Sequence, residues 1–245
     1  MDADQLRQYL EFYQDLGIKT VYKRNPPASE TIRAAAPPPE AESEPLPAPP
    51  AAASNSESLL QIMQDIGDCR RCRLHEGRHK IVFGVGNERA PLVFVGEGPG
   101  ADEDAQGIPF VGRAGQLLTQ MIEGTAKKEG INLLREDVYI CHVVKCRPPE
   151  NRTPEPDEME ICGQFLYRQL VTIAPKAICV LGGTAAKAIT GRKEGVTKMR
   201  GKWFKWRDVP VMVTYHPSFL LRAYNQEAKR EAWEDLKKVL HFVYD

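Results

Sequence analysis

Six cysteines are the first residues in this chain that could do chemistry. Cys69 and Cys72 form a Cys-x2-Cys pair in DCRRC, while Cys146 and Cys162 follow far downstream. A close pair joined by two distant thiols suits a four-thiolate site, and such a set accepts either Zn²⁺ or an iron–sulfur cluster. Cys141 and Cys179 sit inside apolar, β-branched runs and read instead as small buried side chains.

A second group of residues lies in GEGPGADEDAQGIPFVGRAG, from Gly96 to Gly115. Gly96, Gly98 and Gly100 would let backbone approach a ligand closely, and Gly112 and Gly115 would open a helix. The loop is not a phosphate-binding Walker loop, since no Gly-Lys-Ser/Thr follows, and its spacing does not match the dinucleotide fingerprint. Glu97 stands at a strand tip, where a carboxylate could bond a polar ligand. Phe110 is either a core residue or a ring that stacks on a planar ligand. Glu103 and Asp104 read as loop or helix-capping charges. Near the other end of the chain, His216 lies in VTYHPS, fixed before a proline at a strand's edge and suited to catalysis or anion stabilisation. Residues 187–207 carry eight Lys or Arg against one acid, Glu194, with Trp203, Phe204 and Trp206 interleaved. That mixture, Lys198 and Arg200 included, suits a nucleic-acid backbone, and equally a solvated loop with a few core aromatics.

The elements that must position these groups are legible in the hydrophobic pattern. Four β-branched runs, 91–95, 138–144, 177–181 and 209–214, alternate with helical patterns over 112–128, 155–173 and 226–242. Continuous apolar strands between helices predict a parallel sheet covered on both faces, with ligands beyond the strands' C-terminal ends. The glycine loop and His216 both follow such strands.

Composition divides the chain. Nine of its 19 prolines lie between Pro26 and Pro50. Residues 25–55, rich in Pro and Ala, therefore read as an extended linker with too little apolar surface to fold. Before it, Leu6, Leu10, Tyr13 and Leu16 recur at helical spacing, predicting a short helix over 1–24 that docks on the main domain or tethers a protein partner. Residues 56–245 suffice for one well-buried domain. Lys+Arg and Asp+Glu tie at 33 each, so no global charge announces a partner. No long apolar run and no secretory signal are visible, so the expectation is a soluble, cytoplasmic protein whose cysteines are reduced thiols or metal ligands, and, with no interface signature, a monomer.

GEGPGADEDAQGIPFVGRAG, VVKCRPPENRTP and YHPS, with the two upstream cysteines, closely resemble the family 4, iron–sulfur uracil-DNA glycosylases over about residues 58–244. The resemblance implies a three-layer α/β/α sandwich with a four-stranded parallel sheet, and a [4Fe–4S] cluster on Cys69, Cys72, Cys146 and Cys162. It implies that DNA is the substrate, its uracil flipped out of the stack. Phe110 would stack on that base, Glu97 and Gly98 would contact it, and His216 would bond its O2 and stabilise the departing anion. Glu97 is also the best carboxylate for positioning water. Ser218 and the segment from Phe219 to Arg222 resemble a wedge loop, with Leu220 or Leu221 inserted into the vacated stack and Arg222 beside it. Lys198 and Arg200 would grip phosphates. One residue departs from the family pattern: where the family has asparagine reading the uracil O4 and N3–H edge, this chain has His142. A neutral imidazole cannot both donate and accept toward one base edge, so altered base discrimination is expected. Rival readings are a non-catalytic nucleic-acid-binding protein with a four-cysteine metal site, an enzyme acting on free nucleotides, and a recruiting protein working through its leader.

Overall fold

The computed structural model describes residues 57–222 and 225–245, together with Arg7. The helix expected over 1–24, Arg7 apart, and the linker over 25–55 lie outside the described residues.

The first described helix, α1 (Leu59–Ile66), was not among those expected from the hydrophobic pattern and starts at a capping serine. Ser58 accepts from the Gln61 backbone N–H, and the Gln61 side chain accepts from the Ser58 N–H, a reciprocal cap. Gly67, at φ 41°, ends the helix and turns the chain into the first two cysteines. A short strand β1 (Val85–Gly86) precedes β2 (Leu92–Gly96), which is followed by α2 (Ala101–Gln106) and α3 (Arg113–Lys128). Next come β3 (Tyr139–His142), α4 (Pro156–Ile173), β4 (Ala177–Leu181), α5 (Gly183–Thr190) and α6 (Val196–Met199). The chain closes with β5 (Trp203–Trp206), β6 (Val209–Thr214), α7 (Pro217–Leu220) and α8 (Gln226–Tyr244).

The sheet runs β1-β3-β2-β4-β6-β5. Its four central strands are parallel and are the four expected from the sequence. Two antiparallel edge strands, β1 and β5, extend the expected four to six. Alternation along the strands splits the core into two. Val93, Val95, Ile178, Val180, Val211 and Val213 meet side chains of α1, α4 and α5. Leu92, Phe94, Cys179, Leu181 and Met212 meet α3 and α8 on the opposite face. The result is a three-layer α/β/α arrangement, and both faces being covered explains why the strands read as unbroken apolar runs. Cys141 and Cys179 are buried in this core, as their settings suggested.

Connections from β2 lead to one face of the sheet and those from β4 to the other. The C-terminal ends of β2, β4 and their neighbours therefore border the crevice where such folds bind ligands.

Candidate active site and four-cysteine centre

Four strand ends converge on the crevice. Gly96 of β2 is in register with His142 of β3, and the Val143 and Val144 N–H groups donate to the Gly96 and Glu97 carbonyls at 2.9 and 3.2 Å. A Cβ on Gly96 would lie 2.6 Å from His142 Nδ1 and 2.7 Å from the Phe110 ring, so the position admits only glycine. Gly98 is similarly crowded by Val144, at 2.7 Å. Glu97, between them, is half-buried. After β4, Gly182 sits at φ 92° with the His216 Cβ 3.1 Å from where its own would stand.

Phe110 joins the cluster from the glycine loop with a left-handed backbone, φ 53°. Its ring centroid lies 4.8 Å from that of His142, at 27°, and 5.6 Å from that of His216. The three rings pack on one another: Phe110 is 3% exposed and His142 2%. Arg135 holds this loop, donating to the Pro109 carbonyl at 2.8 Å and to Thr119 Oγ1 at 3.0 Å. Sequence reading missed Arg135, which lies 26 residues from its partner Pro109 and carries no motif. Glu103 caps α2, accepting from the Gly100 N–H at 3.0 Å, and Asp104 accepts from the His79 N–H at 2.9 Å. Both are structural, as expected.

The two histidines differ. His216 Nδ1 accepts the Ser218 backbone N–H at 3.2 Å, with Ser218 Oγ 2.7 Å away. A backbone N–H can only donate, so the neutral ring carries its proton on Nε2. Burial drives His216 down to about 4, which keeps the ring neutral near pH 7. Among the described residues neither ring nitrogen of His142 has a hydrogen-bond partner. Burial, then the Lys145 and His216 charges, hold His142 well below the ordinary histidine range.

The wedge segment and the basic stretch need correction. Leu220 is 1% exposed and packed in the core, whereas Leu221 and Phe219 are each 36% exposed, so of the segment's large apolar side chains these two face outward. Arg200 is not a free phosphate-binding arm: its Nε donates to Asp235 at 3.0 Å, Nη2 reaches the same carboxylate, and Nη2 also donates to the Glu231 carbonyl at 2.9 Å. Lys198 is exposed. Trp206 is buried and stacks on Tyr167, while Phe204 lies under Arg192, so these aromatics serve the edge strand β5. Beside Leu221 runs a groove lined by Arg113, Gln116, Gln120 and Lys229, which the sequence did not single out.

Cys69, Cys72, Cys146 and Cys162 line one cavity between the loop after α1, the segment after β3, and α4. Among the described residues no cluster of three or more His, Cys, Asp or Glu side chains is set to hold a single metal ion. The sulfurs have N–H donors: the Lys145 backbone to Cys162 Sγ at 3.2 Å, and Arg78 Nη1 to Cys146 Sγ at 3.4 Å. Such donors are usual around iron-bound thiolates. Glu158 of α4 ties the elements together, accepting from Arg73, next to Cys72, at 2.9 Å and from Arg152 at 2.6 Å. These guanidiniums, Arg152 foremost, hold its carboxyl down at about 2. Arg168 clasps α1 by bonding Glu57 and Asp65.

Residues 83–237 match the uracil DNA glycosylase superfamily. A protein of Thermotoga maritima named type-4 uracil-DNA glycosylase is 46% identical over 190 residues, 76% of this chain and 96% of that one. Proteins with the same name from Archaeoglobus fulgidus and Sulfurisphaera tokodaii are 45% and 42% identical over 191 residues, each covering 75% of this chain and 92% and 84% of their own.

Proposed function

The chain belongs to the uracil-DNA glycosylase superfamily, alongside its type-4 members, and on that premise we propose that it excises uracil from DNA, hydrolysing the N-glycosidic bond to leave an abasic site. The observation that carries the reading is the pair of rings at the strand ends: Phe110, and beside it a neutral His216 with its proton on Nε2.

The flipped base stacks on Phe110, with Glu97 and the Gly98 backbone at its edges. The C1′–N1 bond breaks with its electron pair leaving on uracil, and the sugar becomes oxocarbenium-like. His216 Nε2–H donates to uracil O2 and stabilises the anion, a contribution of about 2.7–4 kcal/mol for a donor of this kind. Water positioned by Glu97 adds its oxygen to C1′ and gives up a proton, which neutralises the uracil anion. A neutral donor suits this step, because it stabilises the developing charge without first having to be protonated. Leu221 fills the vacated stack, with Phe219 beside it, and Ser218, Arg222, Lys198 and the Arg113 groove meet the DNA backbone. His142 faces the O4 and N3–H edge and meets only one of its two groups.

Cys69, Cys72, Cys146 and Cys162 hold a [4Fe–4S] cluster in this reading. The all-thiol donor set around one cavity, its N–H donors and the buried cations beside it support that assignment. Bound there, the cluster would cross-link three segments separated in sequence. No helix among the described residues is long and apolar enough to cross a membrane, and a cytoplasmic place of action suits a DNA substrate. The relatives named above are glycosylases, which does not favour a binding protein without catalysis.

The test is an oligonucleotide carrying one uracil, incubated with the protein and cleaved by alkali at abasic sites. Strand cleavage that is lost in His216→Ala and Glu97→Gln supports the reading. DNA binding without an abasic product refutes it.

A further inference from the structure

Lys145 is the unusual cation of this protein. It is 1% exposed, and its Nζ donates to the His142 carbonyl at 2.8 Å and to Gln169 Oε1 at 2.6 Å, both neutral acceptors. Among the described residues it makes no ion pair with a carboxylate, unlike the buried Glu158 and Asp235, each of which pairs with an arginine. A buried ammonium without an anion costs several kcal/mol. Lys145 lines the four-cysteine cavity, and its own backbone N–H donates to Cys162. Across the cavity Arg78, its side chain 8% exposed, reaches Cys146 Sγ and the Cys69 carbonyl, and among the described residues its one carboxylate partner is the outward-facing Asp68.

Four thiolates around either a [4Fe–4S]²⁺ core or a Zn²⁺ ion leave a net dianion. We propose that Lys145 and Arg78 are the built-in counter-charges of the centre held by the four cysteines, and that Lys145 also links this centre to the base-reading end of β3 through the His142 carbonyl. The proposal rests on the reading of the cavity as a metal centre. In it the thiolates are the anion that the buried ammonium otherwise lacks.

The test uses the full chain, with Lys145→Met, Arg78→Met and the charge-keeping Arg78→Lys. Iron, acid-labile sulfide and zinc are measured per chain, followed by the rate of metal loss to EDTA and the reduction midpoint of the loaded protein. Removing a positive charge beside the centre disfavours the added electron, so the midpoint falls in both methionine variants. Metal loss becomes several-fold faster in both, and Arg78→Lys restores the original values. Should Lys145→Met fail to fold by circular dichroism, the two Arg78 variants decide. Midpoints and EDTA rates equal to those of the unaltered protein overturn the proposal. Zinc without sulfide refutes the iron–sulfur assignment alone, because the EDTA rates still decide the charge argument. A chain that purifies with neither metal overturns both.

Discussion

Replacing His142 by asparagine should make this protein a faster uracil glycosylase. Uracil offers an acceptor, O4, beside a donor, N3–H, and both lose water when the base is buried. A neutral imidazole turned toward that edge meets one of them, since its second nitrogen points away. The group left unmet costs about 1–3 kcal/mol, equivalent to about 5- to 150-fold in kcat/KM. A second effect has the same sign. The His142 ring stacks 4.8 Å from Phe110, the ring assigned to the base, and both are almost fully buried. A base that takes the Phe110 face must displace this contact, worth about 0.5–1.5 kcal/mol. The shorter asparagine removes the competitor and supplies both hydrogen bonds, so His142→Asn should raise kcat/KM for a uracil oligonucleotide about tenfold or more. His142→Ala opens the slot but reads neither group, so it should fall below His142→Asn. The assay is single-turnover release from uracil-, hypoxanthine- and xanthine-containing strands, with melting curves to confirm folding. An asparagine variant no faster on uracil, with an unchanged base profile, refutes the reasoning.

Other expectations follow from the same geometry. Because His216 is held down at about 4, its neutral form, with Nδ1 accepting from Ser218, persists from pH 8 to about 5, and the pH–rate profile should show no His216 limb until near pH 4. A histidine with a lowered folded-state pKa binds protons more readily when unfolded, so its contribution to stability is full above about 6.5 and declines as pH falls toward 4, which denaturant titrations at several pH values would reveal. Glu158 has the complementary behaviour: its salt bridges contribute above about pH 4.5 and are lost as pH falls through about 2. With its arginine partners partly exposed, Glu158→Gln should cost about 2 kcal/mol at pH 7 and almost nothing near pH 2, measured by urea unfolding. Arg135→Ala frees the Pro109 carbonyl and the loop bearing Phe110, and should lower kcat about tenfold with little loss of DNA affinity, read by single-turnover kinetics and fluorescence anisotropy. Gly96→Ala, driven into two rings, should abolish excision while the fold survives in circular dichroism.

The central sheet was legible because its physics is local. Val93, Val180 and Val213 sit in β-branched runs that only a strand covered on both faces would carry. β1 is two residues long and left no pattern to read. In β5 the run Trp-Phe-Lys-Trp does alternate, but its setting among lysines and arginines resembled a nucleic-acid surface. What the sequence could not settle was decided by distant partners. Arg200 is taken by Asp235, 35 residues later, and Leu220 rather than Leu221 is buried because of how α7 lies on α3 and α8. Convergence of the four cysteines was expected from their types and spacing, a close pair with two distant thiols, while the choice of an iron–sulfur cluster over zinc came from the resemblance alone. The unpartnered nitrogens of His142 had no sequence signal beyond the departure from asparagine.

A sheet of six strands has two open margins, and each is a template on which another chain can add a strand. Here β1 gives only two residues to such pairing. At the far margin β5 carries exposed Lys205 at its centre, with Lys202 before it and Arg207 after. Extending the sheet with a second copy would bring like charges together along that strand. Part of the basic stretch that suggested DNA therefore also guards against self-association, and neutralising Lys202 and Lys205 together would expose the protein to aggregation before it cost any repair activity.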